Sequence, residues 1–401
     1  MSNSGAASLF VENAEALGQQ IWKQRVQAAD GTITWLRPGS EARGEPIDLQ
    51  KRIDPFLYDG TAGIALFLSG LSYVTKDDGW RDRALQTIAP VRRKLAELTG
   101  NPERAVLLTG LGLGGMIGLG SLVYSFLHIG RLLEESALRD ESLRIAGLIT
   151  QDRIDRDETC DILYGGAGAI LALLRLGADA PLHTAIACAH NLLRRRQAVA
   201  GAVRTWRTLP GLPPMGGFSH GAAGICCALL CLYRHTGDPD LLAAAREGFA
   251  FERTLYSPEQ RGWRDAKVEG EIRVSPGWCF GSAGMALARL SALETLDSPE
   301  LRQEAEQGLE HVLSAPLSNV DHLCCGNLGR VDSLLQAGWT TAAEELAHRA
   351  LERAGRRGGL VWRSVMPPDL FDPTFFTGAA GTGYTLLRLA NHSLPCVLAL
   401  E

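Results

Sequence analysis

Seven times along the chain a close pair of glycines is followed at once by an apolar run, and this repeat decides the architecture. The pairs are Gly60 and Gly63, a degenerate copy at Gly118 and Gly120, then Gly165 and Gly168, Gly221 and Gly224, Gly281 and Gly284, Gly326 and Gly329, and Gly378 and Gly381. Successive copies lie 45 to 60 residues apart, a period of helical repeats, whose units cannot bury an apolar face alone. The run after each pair, such as Ile225-Cys226-Cys227-Ala228-Leu229-Leu230, predicts a helix enclosed on most sides. Amphipathic stretches between the runs predict a second, outer helix in each repeat. Ser298-Pro299 sets a capping residue before a helix-opening proline and predicts a helix to residue 314. Thr341-Ala342-Ala343-Glu344 has the spacing of a capping box for a helix running towards Arg356. Strand signals are few and short.

Seven such hairpins can close into two concentric rings, the apolar helices inside and the amphipathic ones shielding them. A linear solenoid would need polar caps on its terminal repeats, and none stands out. The expected fold is therefore all-α, an α/α toroid of about seven inner and seven outer helices. Residues 1–55 are expected to form an N-terminal helical segment packing on the toroid, and residues 56–401 the toroid itself.

A formal net charge of -5 and a pI of about 6.0 argue against a nucleic-acid partner. The basic runs Arg92-Arg93 and Arg194-Arg195-Arg196 fall on amphipathic stretches and read as solvated helix faces. No apolar run is long enough to span a bilayer, and residues 1–10 are not signal-like, so a cytoplasmic location is expected. Nine cysteines in a chain of 401 residues, several adjacent or in apolar helices, do not read as a secreted disulfide framework.

Repeat loops that served packing alone would be interchangeable, and several here are not. The fifth reads Gly277-Trp278-Cys279-Phe280-Gly281, the sixth His322-Leu323-Cys324-Cys325-Gly326-Asn327, the fourth Gly217-Phe218-Ser219-His220-Gly221, and the third opens with Asp161. In a closed toroid all of them face one end of the barrel. Cys279, Cys324 and Cys325 would then offer three sulfurs, a donor set that suits Zn2+ with its fourth position open. A single cysteine is more often a small buried hydrophobe, which is the reading for Cys226, Cys227 and Cys231. Cys160, Cys188 and Cys396 have no evident chemical context. His220 and Asp161, at the same barrel end, are further candidate functional residues, although either alone could serve a helix start. Adjacent Ser219 and His220 are set aside as a hydrolase pair.

At these residues the sequence resembles the lanthionine synthetase C-like (LanC-like) cyclases, from Leu57-Tyr58-Asp59-Gly60 to the carboxyl end. The motifs are Ser219-His220-Gly221, Trp278-Cys279 and Cys324-Cys325-Gly326, in order, within the seven glycine-pair repeats. The Cys-Cys-Gly motif and the tail from Phe375-Phe376-Thr377-Gly378 to Leu398-Ala399-Leu400-Glu401 resemble more narrowly the cyclase half of class II lanthipeptide synthetases. Those enzymes carry a kinase-like dehydratase domain ahead of the cyclase, which this sequence lacks. An excised cyclase domain or a stand-alone cyclase is expected.

The resemblance implies one zinc held by Cys279, Cys324 and Cys325, with Cys325 standing where many members have histidine. It assigns acid–base work to His220 and Asp161. Phe280 departs from the pattern, because relatives often carry a polar residue there. The implied reaction is a Michael-type addition of a peptide cysteine to dehydroalanine or dehydrobutyrine, giving thioether (lanthionine or methyllanthionine) rings in a lanthipeptide. The implied partners are a dehydrated precursor peptide and a dehydratase. The rival readings are a non-catalytic zinc- and thiol- or peptide-binding module, a toroidal thiol-alkylating zinc enzyme resembling the prenyltransferases, and a glycoside-processing toroid. The last needs paired carboxylates, and only Asp161 stands out.

Overall fold

In every repeat the loop before the inner helix folds back beneath that helix and caps it with its own backbone. The first helical amide donates to the carbonyl seven residues earlier: Thr61 to Asp54, Leu119 to Gly112, Ala222 to Met215, Ser282 to Ser275, Asn327 to Val320 and Ala379 to Asp372. The third copy makes the equivalent bond from Ala167 to Cys160. Helix-start amides that would otherwise lack partners are thus satisfied by the backbone, and in the third copy Oδ2 of Asp157 also accepts the amide of Gly166 at 2.6 Å. The second glycine of each pair leaves room for this fold-back. A Cβ on Gly224 would sit 2.1 Å from the carbonyl oxygen of Phe218, and one on Gly329 would sit 1.8 Å from that of Leu323.

The computed structural model describes residues 3–28, 31–37, 51–100, 110–199, 203–265, 273–362 and 371–401. Residues 38–50 of the expected N-terminal segment lie outside the described residues. The inner helices are α2 (Thr61–Thr75), α4 (Leu119–Leu132), α7 (Gly166–Leu174), α9 (Ala222–Thr236), α11 (Ser282–Leu293), α13 (Asn327–Gln336) and α15 (Ala379–Ala390). Their outer partners are α3 (Asp78–Thr99), α5 (Ser136–Ala146), α8 (Asp179–Arg195), α10 (Pro239–Arg253), α12 (Pro299–Ser314), α14 (Thr340–Arg356) and α1 (Asn3–Lys23); a short α6 (Gln151–Arg156) packs on α8. Each inner helix touches the next, and α15 touches α2, so the ring closes. The first helix, α1, is the outer partner of the last inner helix, α15.

Three outer helices are capped by the side chain of the residue before them: Asp77, Asp238 and Ser298 each accept a first-turn amide. The expected capping box at Thr341 is not made. Gly338, at φ 79°, turns the chain sharply out of α13, and the helix begins at Thr340 behind Trp339, which gives no side-chain cap. Arg92, Arg93, Arg194 and Arg195 lie on outer helices, with Arg92 paired to Glu141 and Arg194 to Asp155, whereas Arg196 falls just past the end of α8 and is largely buried against Glu247.

Strands are confined, among the described residues, to four antiparallel ribbons of two residues a side. They are β1 (Val26–Gln27) with β2 (Ile33–Thr34), β3 (Leu36–Arg37) with β4 (Lys51–Arg52), β5 (Gln197–Ala198) with β6 (Arg204–Thr205), and β7 (Tyr256–Ser257) with β8 (Gly262–Trp263). No helix of the described residues is long and apolar enough to cross a membrane.

Candidate metal centre and acid–base pair at the barrel mouth

The seven fold-back loops are joined into a belt around one end of the barrel. Tyr58 donates its amide to Met116, Gly115 to Ile162, Ile162 to Ser219, Ser219 to Cys279, Trp278 to Cys324, Cys324 to Phe376, and Phe376 back to Tyr58, all at 2.8 to 3.2 Å. Local glycine chemistry therefore brings residues of distant repeats to one mouth, and this belt carries all five residues singled out from the sequence.

Cys279 and Cys325 lie with their sulfurs 3.6 Å apart, as do Cys325 and Cys324. All three sulfurs fall within 4.8 Å of one another, the one such group of potential ligands found among the described residues. Tetrahedral zinc with Zn–S bonds of about 2.3 Å sets its sulfurs about 3.8 Å apart, so the spacing fits. The electrostatics agree. The neighbouring thiols Cys279 and Cys325, with burial added, push Cys324 well above the ordinary thiol range. Three thiolates this close need a cation among them. Cys324 is buried, Cys279 half-buried and Cys325 exposed, so the cluster opens outward through Cys325. Adjacent Cys324 and Cys325 share the cluster because the chain turns at Gly326, whose amide returns to the carbonyl of His322.

His220 and Asp161 meet in the same belt. Nδ1 of His220 is 2.6 Å from Oδ2 of Asp161, and Oδ1 of Asp161 accepts the amides of Tyr164 (2.7 Å) and Gly165 (3.1 Å). Burial pushes the Asp161 carboxyl above its ordinary range, against the pull of His220. The imidazole is stacked between Tyr164, with ring centroids 5.6 Å away, and Phe280, at 5.5 Å. Its neighbour Ser219 turns the other way and donates to the carbonyl of Cys279 at 3.2 Å, so no serine–histidine pair exists. Cys226, Cys227, Cys231, Cys160, Cys188 and Cys396 are buried away from the cluster.

Three contributors escaped the sequence reading. Glu252, buried on α10, accepts the amide of Gly217 at 3.1 Å and pairs with buried Arg289, bracing the loop that carries His220. Thr208 donates to the carbonyl of His220. Tyr58 lies against the sulfur cluster, and burial together with the nearby thiols pushes its phenol well above the ordinary range. Only Tyr58 carried a sequence signal, its place at a glycine-pair loop. A cavity of about 690 Å³ opens beside Tyr164, lined by Leu111, Leu113, Leu148, Arg153 and Thr159.

A closed double ring of helices with a thiol cluster and a histidine–aspartate pair at one mouth defines an α/α-toroid protein with a candidate metal centre. The chain belongs to the lanthionine synthetase C-like protein family, whose model matches residues 52–399. Its fold is similar to the solved structure of nisin cyclase, at 19% identity and a TM-score of 0.63, covering 86% of this chain and 92% of that one. It is also similar to the Lin0763 protein from Listeria innocua, at 12% identity and a TM-score of 0.51, covering 96% and 97% of the two chains. No curated protein sequence matches.

Proposed function

We propose that the chain is a zinc-dependent lanthipeptide cyclase. In this reading a cysteine of a dehydrated peptide adds to a dehydroalanine or dehydrobutyrine of the same peptide. One carbon–sulfur bond forms, the carbon–carbon double bond becomes single, and the thiol proton is balanced by a proton delivered to the α-carbon. The product is an isomer of the substrate. The observation that carries the proposal is the meeting of three cysteine sulfurs and the Asp161–His220 pair in one belt, in a member of this family.

Cys279, Cys324 and Cys325 would hold the zinc. A zinc ion held there supplies an open position at which a peptide thiol, ordinarily titrating near about 8.5, is deprotonated at neutral pH. Cys325 gives a thiolate where a histidine would give a neutral nitrogen, so it adds electron density and keeps a neighbouring sulfur nucleophilic. His220 serves as proton donor to the enolate that follows attack. Asp161, fixed by two amides, holds Nδ1 of His220 and leaves Nε2 for the substrate. Tyr164 and Phe280 keep the ring in plane. The partners implied are the dehydrated precursor peptide and a dehydratase that acts before ring closure.

The test is the zinc content of the purified chain by elemental mass spectrometry, beside Cys279→Ala. One zinc per chain, lost in the variant, is the expected result. A well-folded chain that takes up no zinc would leave a non-catalytic peptide-binding module as the better reading.

A further inference from the structure

The last residues of the chain run inside the inner ring. Leu394, Cys396, Val397, Leu398 and Leu400 are all buried. Arg388, on α15, donates to the carbonyl of Leu394 at 3.1 Å, and Tyr384, also on α15, to that of Pro395 at 3.3 Å. From the other side of the ring, Arg175, just beyond α7, donates to the carbonyl of Leu400 at 2.8 Å. The Leu400 side chain fills the space beside Gly115 of the second mouth loop. Donors on separated inner helices thus hold residues 394–400 on the barrel axis, directly beneath the belt.

One mouth residue reaches down to this plug. The indole Nε1 of Trp278, fully buried, donates to the carbonyl of Leu398 at 3.0 Å. Its ring is packed between Phe218, at 5.7 Å, and Phe376, at 5.2 Å. Its main-chain amide donates to the carbonyl of Cys324 at 3.1 Å, and the next residue is Cys279. Trp278 therefore touches both sulfur-bearing loops through its backbone and the plug through its side chain.

We propose that Trp278, seated on the carbonyl of Leu398, is the positioning residue that sets Cys279 against Cys324, so that the axial plug governs how tightly the mouth holds its metal. The inference rests on the metal reading above. Rotation of the indole off Leu398 would swing the Cys279 main chain, because the ring is fully buried and the two phenylalanines, tilted against it at 40° and 44°, leave it no second seat. Outer-shell partners of metal ligands typically change affinity by about 10- to 100-fold when removed, and Trp278 sits in that position for two ligands at once.

The experiment compares Trp278→Phe with Trp35→Phe. Trp35 is also a buried indole giving one hydrogen bond to a backbone carbonyl, that of Ile21 at 2.8 Å, and it lies outside the mouth loops. Zinc affinity is read by chelator competition and thermal stability by calorimetry. The expected result is that both variants lose some stability while only Trp278→Phe weakens zinc binding, by about 10- to 100-fold. Equal affinities in the two variants would overturn the proposal while leaving the metal site intact. If Trp278→Phe fails to fold, the benzothienyl isostere of tryptophan at the same position keeps the shape and lacks only the N–H, and the same affinity loss is expected. A wild-type chain that binds no zinc overturns the metal reading itself, and this inference with it.

Discussion

Asp161 presents one carboxylate oxygen to His220 at 2.6 Å while its other oxygen is occupied by the amides of Tyr164 and Gly165. The carboxylate cannot rotate without breaking all three contacts, so the imidazole is held by Nδ1 and can exchange protons only through Nε2. Proton transfer by a positioned side chain is ordinarily worth about 10²–10⁴-fold. His220→Ala is expected to slow cyclisation by that range without loss of zinc, measured by single-turnover kinetics with a dehydrated peptide. A loss below about tenfold would reduce His220 to a structural role.

Cys325 is the exposed member of the sulfur cluster and lies 3.6 Å from each of the other two sulfurs. Cys325→His is expected to retain zinc, since imidazole is an equally competent ligand, and to cyclise more slowly because the site carries one negative charge fewer. Zinc content and rate measured on the same sample check this. An undiminished rate with zinc bound would count against the charge argument.

His128 is buried on α4 against Tyr124, and burial, helped by Arg131 and Arg175, lowers its pKa to about 3. The folded protein keeps this ring neutral while the unfolded chain protonates it below about 6.5. Stability from this group is therefore full above that value and is lost as the pH falls from 6.5 towards 3, by about 1.4 kcal/mol per pH unit. Denaturation midpoints measured from pH 7 to 4 should fall less steeply in His128→Leu than in wild type. Parallel curves would contradict the assignment.

A methyl group at Gly329 has no room, since the Leu323 carbonyl oxygen would lie 1.8 Å from it, whereas Gly355 on α14 has nothing within 4 Å. Gly329→Ala is expected to cost several kcal/mol, of the order of 4 or more, and to release zinc by displacing the Cys324 loop. Gly355→Ala should be stabilising by about 0.5–1 kcal/mol through the helix. Thermal unfolding of the pair separates a packing demand from a general aversion to substitution.

The closed toroid and its mouth were legible because their determinants are local in sequence. A glycine pair, its fold-back loop and the apolar run after it all lie within one repeat, and Cys279, Cys324, Cys325, His220 and Asp161 each sit inside such a loop. What was not legible depends on distance. Trp278 and Leu398 are 120 residues apart, and nothing in the tail's apolar pattern separates an axial plug from an ordinary core strand. Glu252 looks like any acid on an amphipathic helix until Arg289 is found beside it. The pairing of α1 with α15 joins the two ends of the chain, which periodicity cannot register. The capping box at Thr341 shows the opposite error, a local motif overridden because Gly338 delivers the chain into the helix two residues early.

The central claim is that the sulfur cluster and the His220–Asp161 pair act together on a peptide thiol. Because ring closure leaves the mass unchanged, the direct measurement is the disappearance of free thiol, read by alkylation and mass spectrometry of a dehydrated cysteine-containing peptide incubated with zinc-loaded protein. The account predicts loss of one alkylatable thiol per ring, abolished by Cys279→Ala and strongly slowed by His220→Ala. A peptide that keeps its thiols at the uncatalysed rate, in the presence of fully zinc-loaded wild-type protein, would contradict it.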